Sequence, residues 1–315
     1  MDLLKNILPQ KIFEVIERAG VSTAKQIIML SKWDIKKLTN LSNDDIFLLK
    51  SMVADYISPE SVPGDLLLQK ENLNPRISIG CNTIDYLLKG GFLRGTLTEI
   101  YGESGSGKTQ VLLQAVAHNS YCGCVYICTE DLFPVKRLEQ IIHSIPDCNS
   151  ETDYGKNIFI EHVTEPIELL SCVKVRLPKL LSRNKVSLIV VDSIAAPYRT
   201  DTTNYIQRAE DLRELAMSLI KTAQNANLAI VCINQVTAAF DGSNNCLPSL
   251  GLAWSNMVST RLSLRKTSET IDIINESDFI QEKYSNVREM TVVFAPHLSN
   301  KSARFIITPA GIVGI

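Results

Sequence analysis

The fold is decided by one short stretch of sequence, Gly102-Glu103-Ser104-Gly105-Ser106-Gly107-Lys108-Thr109. It follows an apolar run, Leu97–Tyr101, and precedes a helical pattern, Gln110–His118. Glycines let the backbone curl so that successive N–H groups point inward, and a helix N-terminus adds partial positive charge. This combination of strand, glycine-rich turn and helix is suited to hold phosphate groups, and the stretch matches the P-loop pattern at every fixed position.

The side chains at the end of the motif point to a nucleotide and a metal ion. Lys108 is placed to reach β- and γ-phosphates, and the hydroxyl of Thr109 is a ligand for Mg²⁺. We therefore expect ATP and Mg²⁺ as cofactors, bound by Gly102–Thr109 and by Gln110, which follows. A glycine-rich turn that only mimics the motif is the alternative, and the strand and helix on either side disfavour it.

A second candidate for the metal site stands at the end of another apolar run. Asp192 follows Leu188–Val191, the position of a Walker B aspartate. At the carboxyl end of a parallel strand its carboxylate would hold magnesium through water. Because Ser193 follows, a helix cap is the alternative role.

Two further strand ends carry candidates for catalysis. Glu130 follows the run Val125–Thr129, and a carboxylate there would orient and deprotonate an attacking water. The adjacent Asp131 competes for that role. Gln235 follows Ile230–Asn234, and its neutral amide would sense a γ-phosphate by hydrogen bonding. Taken singly, both are open to the plainer interpretation of a polar residue at a strand end.

The surrounding pattern predicts the fold class. Five apolar runs alternate with amphipathic helical stretches such as Ala209–Gln224: Leu97–Tyr101, Cys124–Cys128, Ile158–Ile160, Ser187–Val191 and Leu228–Ile233. Runs that are apolar on both faces are typical of parallel strands covered by helices, so we predict a doubly wound, mostly parallel α/β sheet. After Trp254, three short runs predict antiparallel strands that extend the sheet: Arg261–Leu264, Thr291–Phe294 and Arg304–Ile307.

The start of the chain has a helical pattern without the apolar strand-like runs. Residues 1–57 predict a small helical domain, with Gly20 as a helix stop, Ser22 or Thr23 as a cap, and Ser42 with Asp45 opening a later helix. Residues 58–75 carry three prolines and one glycine, which predicts a linker. We expect the ATPase domain to span 76–315.

Composition excludes several classes of protein. Hydrophobic residues make up 45% of the 315 residues, which excludes global disorder, and a formal net charge of −2 argues against coating nucleic acid by bulk charge. The eight cysteines lack zinc-finger spacing and are expected to be free thiols in a reducing compartment. No apolar run reaches membrane-spanning length and no signal peptide is apparent, so a soluble intracellular protein is expected, without a membrane partner.

The ordered set of motifs resembles the RecA-type recombinases of eukaryotes and archaea, over nearly the whole chain. The shared strings are Ile84–Gly91, Gly95–Ile100, Gly102–Gln110, Thr129-Glu130, Asp192-Ser193, Asn234–Val236 and Thr260–Lys266. Within that family the chain is similar to a recombinase paralogue, through Val125–Asp131, Phe159–Val163, Leu180–Arg183, Val231–Thr237 and Phe294–Leu298.

The resemblance implies a RecA-like P-loop ATPase core and roles for individual residues. Glu130 would be the water-activating carboxylate and Gln235 the γ-phosphate sensor, while Arg137 would pack on the adenine with Gln140 nearby. It further implies a heterodimer with another recombinase paralogue and contact with the main strand-exchange recombinase. Single-stranded or branched DNA would be the substrate, in homologous recombination, DNA repair and replication-fork protection. The implied location is the nucleus, with or without a cytoplasmic pool.

The chain also departs from the family pattern. Its linker, Val62–Leu68, lacks the aromatic-x-x-alanine segment by which the recombinases polymerise, and Asn40 stands in the turn where their helical domain carries a glycine. We expect Asn40 to take the left-handed backbone that the glycine would take. The stretches that correspond to the family's DNA loops, Thr200–Arg208 and Ala238–Leu250, are short, and the second has no basic residue, although Phe240 could wedge between bases.

Two functional interpretations stay open. One is a DNA-dependent ATPase subunit with weak or partner-dependent turnover. The other is an assembly adaptor that uses ATP as a structural switch and turns over little. A nucleoside kinase is excluded because no arginine-rich lid is visible and the sheet extends past Gln235.

Overall fold

A computed structural model gives the fold, and it describes residues 2–72, 75–145, 154–199, 205–238, 246–272 and 284–315. The chain divides into two compact units, Met1–Leu73 and Asn74–Ile315. This division is close to the domain boundaries expected from composition, which themselves stay a prediction.

The first unit is helical. Its helices are α1 Asp2–Ile7, α2 Gln10–Arg18, α3 Ala24–Met29, α4 Lys32–Thr39, α5 Asn43–Ile57 and α6 Gly64–Asn72. One apolar side from each of α1 to α5 contributes to a single small core, whose buried members include Ile12, Ile27, Ile35 and Leu49. The small helical module predicted at the start of the chain is confirmed.

Short polar side chains and two special backbone positions fix where these helices begin and end. Thr23 caps α3 by accepting a hydrogen bond from the backbone N–H of Gln26, and Ser42 caps α5 in the same way from Asp45. Gly20 and Asn40 have φ angles of +73° and +53°. The left-handed backbone expected of Asn40 is therefore present, and it ends α4 where the family's glycine would stand.

The segment expected to be a linker contains secondary structure. Helix α6 occupies Gly64–Asn72, and the backbone N–H of Leu66 donates to the carbonyl of Pro63. Proline composition did not predict this helix, because proline is well tolerated beside a first helical turn, where its missing N–H costs nothing. The side chains of Leu66, Leu67 and Leu68 are exposed.

The second unit is an α/β domain built on one nine-stranded sheet in the order β11-β10-β9-β8-β1-β5-β4-β2-β3. Its strands are β1 Leu97–Tyr101, β2 Cys124–Cys128, β3 Ile158–His162, β4 Leu188–Asp192, β5 Ala229–Asn234, β8 Thr260–Asp272, β9 Tyr284–Phe294, β10 Ser302–Thr308 and β11 Gly311–Gly314, and a separate hairpin pairs β6 Val236–Ala238 with β7 Cys246–Pro248. Its helices are α7 Asn82–Leu87, α8 Lys108–Asn119, α9 Val135–His143, α10 Pro166–Ser171, α11 Leu177–Leu181, α12 Tyr205–Ala226 and α13 Gly251–Ser255, with a π-helical turn, Cys172–Arg176, between α10 and α11.

The sheet confirms the predicted fold class and corrects one strand. In sheet order, the six strands β3, β2, β4, β5, β1 and β8 run parallel to one another. The strands β9, β10 and β11 follow β8, and each pairs antiparallel with its neighbours. The strand around Arg261–Leu264 was expected to be antiparallel; it pairs antiparallel with β9 as expected, but it runs parallel to β1 on its other side. A crossover that includes α13 lies between β5 and β8, and a parallel neighbour requires such a crossover rather than a hairpin.

Helices cover both faces of the parallel strands. One core packs α8 and α9 against the sheet, around Val116, Tyr126 and Leu138, and the other packs α12 on the opposite face, around Leu215 and Trp254. This two-sided burial explains why the strand sequences are continuous apolar runs rather than alternating ones.

Several expectations about composition can be compared with the described residues. Six cysteines in them carry free thiols, and Cys148 lies outside them. Within the same ranges, no helix is both long and apolar enough to cross a membrane. Of the two stretches compared with DNA loops, residues 200–204 and 239–245, including Phe240, lie outside the described residues.

Candidate nucleotide site

The parallel strands bring the predicted site residues to one edge of the sheet. Cys128 pairs with Asp192 across β2 and β4, and Tyr101 pairs with Asn234 across β1 and β5. The residues that follow these strand ends therefore lie side by side. They line a cavity of about 1290 Å³, whose walls include Gly102, Ser104, Gly105, Gly107, Lys108, Thr109, Gln110, Glu130, Asp131, Asp192, Arg199, Gln235, Arg288 and Ile307.

The glycine-rich turn has the geometry that its sequence predicted. Gly107 has φ +105° and immediately precedes α8, a backbone conformation that favours glycine. A Cβ atom on Gly102 would lie 2.0 Å from the carbonyl oxygen of Leu264, so only glycine fits beside β8. The turn therefore places the N-terminus of α8, with its free N–H groups, at the cavity.

Two residues of the P-loop lie apart from the cavity wall. Ser106 is buried, and its hydroxyl has no hydrogen-bond partner among the described residues. Glu103 is exposed and contributes its backbone carbonyl to Lys108. Both were expected among the nucleotide-binding residues, and any contact by them stays a prediction.

Lys108 lies at the centre of the site. Its Nζ donates to the carbonyl oxygens of Gly102 at 2.7 Å and Glu103 at 2.8 Å. Burial lowers the pKa of Lys108, and the carboxylates of Asp192 and Glu130 oppose that shift. A partly desolvated ammonium in this cavity is suited to bind a polyanion such as a nucleoside triphosphate.

Thr109 and Asp192, the two residues expected to hold magnesium, are in direct contact. Thr109 Oγ1 donates to Asp192 Oδ2 at 2.8 Å, and Tyr126 Oη donates to the same oxygen at 2.6 Å. Burial raises the pKa of Asp192, and these two hydrogen bonds and Lys108 counteract it. A hydroxyl beside a carboxylate fits the oxygen ligands that Mg²⁺ prefers. The sequence missed Tyr126, and its only signal was a polar tip within an apolar run.

The candidate catalytic residues form a contiguous group. Gln235 Nε2 donates to Glu130 Oε1 at 2.6 Å, and Arg199 Nη2 forms an ion pair with the same oxygen. Asp131 is exposed and lines the cavity beside them. The sequence singled out Glu130 and Gln235 separately, and the fold joins them. Arg199 directly precedes Thr200–Arg208, the stretch that corresponds to a family DNA loop.

The residues expected at the adenine form a second group beside the P-loop helix. Arg137 Nε donates to Gln110 Oε1 at 2.7 Å and Nη1 donates to Gln140 Oε1 at 3.1 Å. The carbonyl oxygens of Pro309 and Thr308 accept further bonds from the same guanidinium, each at 2.7 Å. This fixes the guanidinium plane, the arrangement that stacking on a flat ring needs. Arg137 and Gln140 lie outside the wall of the main cavity, next to Gln110.

A buried cluster of polar and charged side chains connects β1 to β5, α13 and β8. Glu99 on β1 is fully buried and accepts hydrogen bonds from Trp254 Nε1 at 2.8 Å and Asn234 Nδ2 at 2.7 Å, and it pairs with Arg261. Asn234 Oδ1 in turn accepts from the backbone N–H of Gln235 at 2.7 Å. The cluster therefore fixes the backbone that carries Gln235. Nothing in the sequence pattern predicted it, since its members are far apart along the chain.

The chain is similar to known proteins over most of its length. A family model described as Rad51 matches residues 70–314. The chain is 33% identical to the DNA repair protein XRCC3 of Bos taurus over 100% of this chain and 98% of that protein. It is 29% identical to the DNA repair protein XRCC3 homolog of Arabidopsis thaliana, over 82% of this chain and 98% of that protein.

A solved structure supports the fold. The crystal structure of the RadB recombinase matches 76% of this chain and 99% of its own, with a TM-score of 0.62 and 24% identity. The paralogue-like strings from Val125–Asp131 to Phe294–Leu298 indicate a resemblance to X-ray repair cross-complementing protein three, XRCC3, and the full-length relatives confirm it. With a P-loop domain of the RecA type and a family match over most of its length, the chain belongs to the Rad51 family.

Proposed function

We propose that this chain is an ATP-binding recombinase paralogue subunit that acts in DNA repair by homologous recombination. Proteins of the Rad51 family are ATP-dependent in general, and relatives that match this chain over its full length are DNA repair proteins. The observation that carries the proposal is the direct contact between Thr109 and Asp192 beside Lys108, in the same cavity as the Glu130–Gln235 pair.

The arrangement supports a separate role for each site residue in ATP hydrolysis. Lys108 and the P-loop N–H groups hold the phosphates, and Mg²⁺ at Thr109 and Asp192 would neutralise their charge. Glu130 accepts the proton as a water oxygen bonds to the γ-phosphorus and the bond to ADP breaks. Gln235 contacts Glu130, so its amide is positioned to respond to the γ-phosphate.

Turnover is proposed to be weak or dependent on DNA or a partner. Arg199 pairs with the proposed base, Glu130, and the chain continues from Arg199 into residues 200–204, which correspond to a family DNA loop. The guanidinium occupies Glu130 Oε1, the oxygen that would accept the proton of the attacking water, until that contact changes. The same observation favours the second candidate function, an assembly adaptor in which ATP is a structural switch.

The proposed partner is another recombinase paralogue, with the strand-exchange recombinase and single-stranded or branched DNA as further contacts in the nucleus. The β9–β10 connection, from Phe294 to Lys301, corresponds to the cap that family members lay over a neighbour's ATP. The side chain of Phe294 is 55% exposed, and Lys89 Nζ holds the connection by donating to the carbonyl of His297 at 2.9 Å. An exposed aromatic side chain there supports closure on a neighbour by apolar contact.

The test is to purify the chain alone and with a paralogue partner, and to measure ATP binding and turnover with and without a single-stranded oligonucleotide. Lys108→Ala should abolish ATP binding or turnover, because that ammonium is the P-loop's cation for the β/γ oxygens. Lys179→Ala, at an exposed lysine of α11, is the matched control. Unchanged ATP binding and hydrolysis in Lys108→Ala would refute the site, whereas binding without DNA- or partner-stimulated turnover would support the adaptor.

A further inference from the structure

We propose that Arg288 is a nucleotide-binding residue that supplies a second cation to the phosphate chain, from outside the P-loop motif. The inference rests on the proposed ATP site and extends it to the antiparallel part of the sheet. It assigns to the guanidinium of Arg288 a contact with the phosphates that the P-loop residues do not provide.

The topology puts Arg288 beside the P-loop. Strand β1 ends at Tyr101, whose partner on β8 is Ser263, but β8 continues to Asp272 and β9 runs back alongside it. Arg288 pairs with Lys266 of β8, three residues beyond the end of β1. The β8–β9 ribbon therefore projects past the edge of the parallel strands, alongside the glycine-rich turn.

The side chain of Arg288 points to the nucleotide side of the ribbon. Met290 and Val292, which share its strand face by alternation, are buried in the core that contains α8 residues. Arg288 is the next residue on that face toward the P-loop. With Ile307 from β10, it lines the same cavity as Lys108 and Thr109.

Arg288 packs directly on the last glycine of the motif. A Cβ atom built on Gly107 would lie 3.0 Å from Arg288 Cδ and 3.2 Å from Arg288 Nε. Gly107 is thus favoured by its positive φ, and this arginine approaches it closely. The Nε end of the guanidinium lies against the P-loop backbone, which is expected to wrap the phosphates. The remaining N–H groups of Arg288 are therefore within reach of phosphate oxygens.

The charge of Arg288 has no counter-ion among the described residues. Nη1 donates to the carbonyl oxygen of Asn286 at 2.8 Å, while the buried Nε has no acceptor in those residues. Two nearby arginines behave differently, since Arg265 pairs with Glu289 and Arg304 pairs with Glu269. Burial also lowers the pKa of Arg288, which reflects the cost of keeping the cation partly desolvated.

A nucleotide polyphosphate offsets that cost. A guanidinium–phosphate contact is a charge-assisted hydrogen bond, and arginine presents donors in a fork that matches two phosphate oxygens. If Arg288 served only to pack Ile307 and Gly107, an uncharged side chain of similar length would replace it without effect on nucleotide binding. The two roles therefore differ in whether the positive charge matters.

The experiment measures the affinity of the full chain for ATP, ADP and inorganic pyrophosphate by calorimetry or competition, in three variants. Arg288→Gln removes the charge, Arg288→Lys keeps it without the fork, and Lys266→Gln removes the charge of its exposed cross-strand neighbour. Loss of a charged hydrogen bond predicts about ten- to a hundredfold weaker binding of all three ligands by Arg288→Gln. Arg288→Lys should recover part of the affinity, and Lys266→Gln should match the parent.

A measurement on the protein without substitutions covers the case in which a variant fails to fold. Phenylglyoxal labels accessible arginines, and the label on Arg288 is quantified by mass spectrometry. ATP and pyrophosphate should each protect Arg288 from labelling and leave the label on Arg183 unchanged. An Arg288→Gln chain that binds all three ligands like the parent, or an Arg288 labelled equally with and without ligand, overturns the inference.

The same data separate this inference from the proposed function. If the parent chain binds no ATP, the proposed function fails. If the parent binds ATP, Lys108→Ala abolishes binding and Arg288→Gln leaves it unchanged, the nucleotide site stands and only the role of Arg288 is rejected.

Discussion

Gln235 donates a hydrogen bond from Nε2 to Oε1 of Glu130, with 2.6 Å between the two atoms. The amide expected to sense the γ-phosphate and the carboxylate expected to activate water are therefore in direct contact. A γ-phosphate that draws the amide toward itself must change the hydrogen bonding of the carboxylate. Gln235 also leads directly into β6.

Replacement of the proposed base should separate binding from hydrolysis. We expect Glu130→Gln to keep ATP affinity close to the parent value and to slow hydrolysis by about 10²- to 10⁴-fold, because an amide orients water but cannot accept its proton. Equilibrium binding and single-turnover phosphate release measure the two effects. Asp131→Asn is the control, and the opposite pattern, with Asp131→Asn slow and Glu130→Gln normal, would move the base to Asp131.

The ion pair between Arg199 and Glu130 should restrain turnover in the absence of DNA. Its arginine and glutamate side chains are 53% and 31% exposed, so the pair is weakened by salt but not eliminated. We expect Arg199→Ala to raise DNA-free ATP turnover and to reduce its stimulation by single-stranded DNA. Arg213→Ala, an exposed arginine on α12, is the control. A DNA-free rate at or below that of the parent would contradict a restraining role.

The buried cluster around Glu99 should matter far more for stability than a surface ion pair. Glu99→Ala leaves Arg261, which is 17% exposed, without its carboxylate, and breaking such a pair costs about 3–5 kcal/mol. We expect a clearly lower Tm for this variant in thermal unfolding. Glu269→Ala breaks the exposed pair with Arg304 and should cost no more than about 1 kcal/mol. Equal Tm values in the two variants would show that the cluster contributes little.

The isolated chain should not form long filaments on single-stranded DNA. The segment Val62–Leu68 has no aromatic-x-x-alanine sequence, and in the structure most of it belongs to helix α6. Electron microscopy of the purified chain with ATP and single-stranded DNA tests this, with a polymerising Rad51-family recombinase as the positive control. Regular filaments of this chain alone would show that another surface replaces the docking segment.

ATP should strengthen the pairing between this chain and its paralogue partner. A nucleotide that contacts both proteins stabilises the pair by mass action, and the β9–β10 connection is the surface expected to meet such a site. Pairing affinity measured with ATP should exceed that with ADP or without nucleotide, and Lys108→Ala should remove the difference. An affinity that is the same in all three conditions would place the nucleotide away from the interface.

The local sequence determined much of this protein by itself. The P-loop, its flanking strand and helix, the continuous apolar strands and the cap residues all depend on neighbouring residues, so they can be predicted from short windows. Asn40 is an example, because its left-handed backbone follows from its own side chain and the turn around it. The parallel arrangement then implies that Glu130, Asp192 and Gln235 share one edge.

The tertiary structure alone decided which side chains touch. Tyr126 and Thr109 both donate hydrogen bonds to one oxygen of Asp192. Glu99 accepts hydrogen bonds from residues that lie 135 to 162 positions away along the chain. Pairings at that distance depend on strand order and register, which no local pattern encodes. The parallel pairing of β8 with β1 belongs to the same class, and it is what carries β9 and Arg288 past the sheet edge to Gly107. Strand direction is set by the crossover that buries both faces of the sheet, not by the residues of the strand itself.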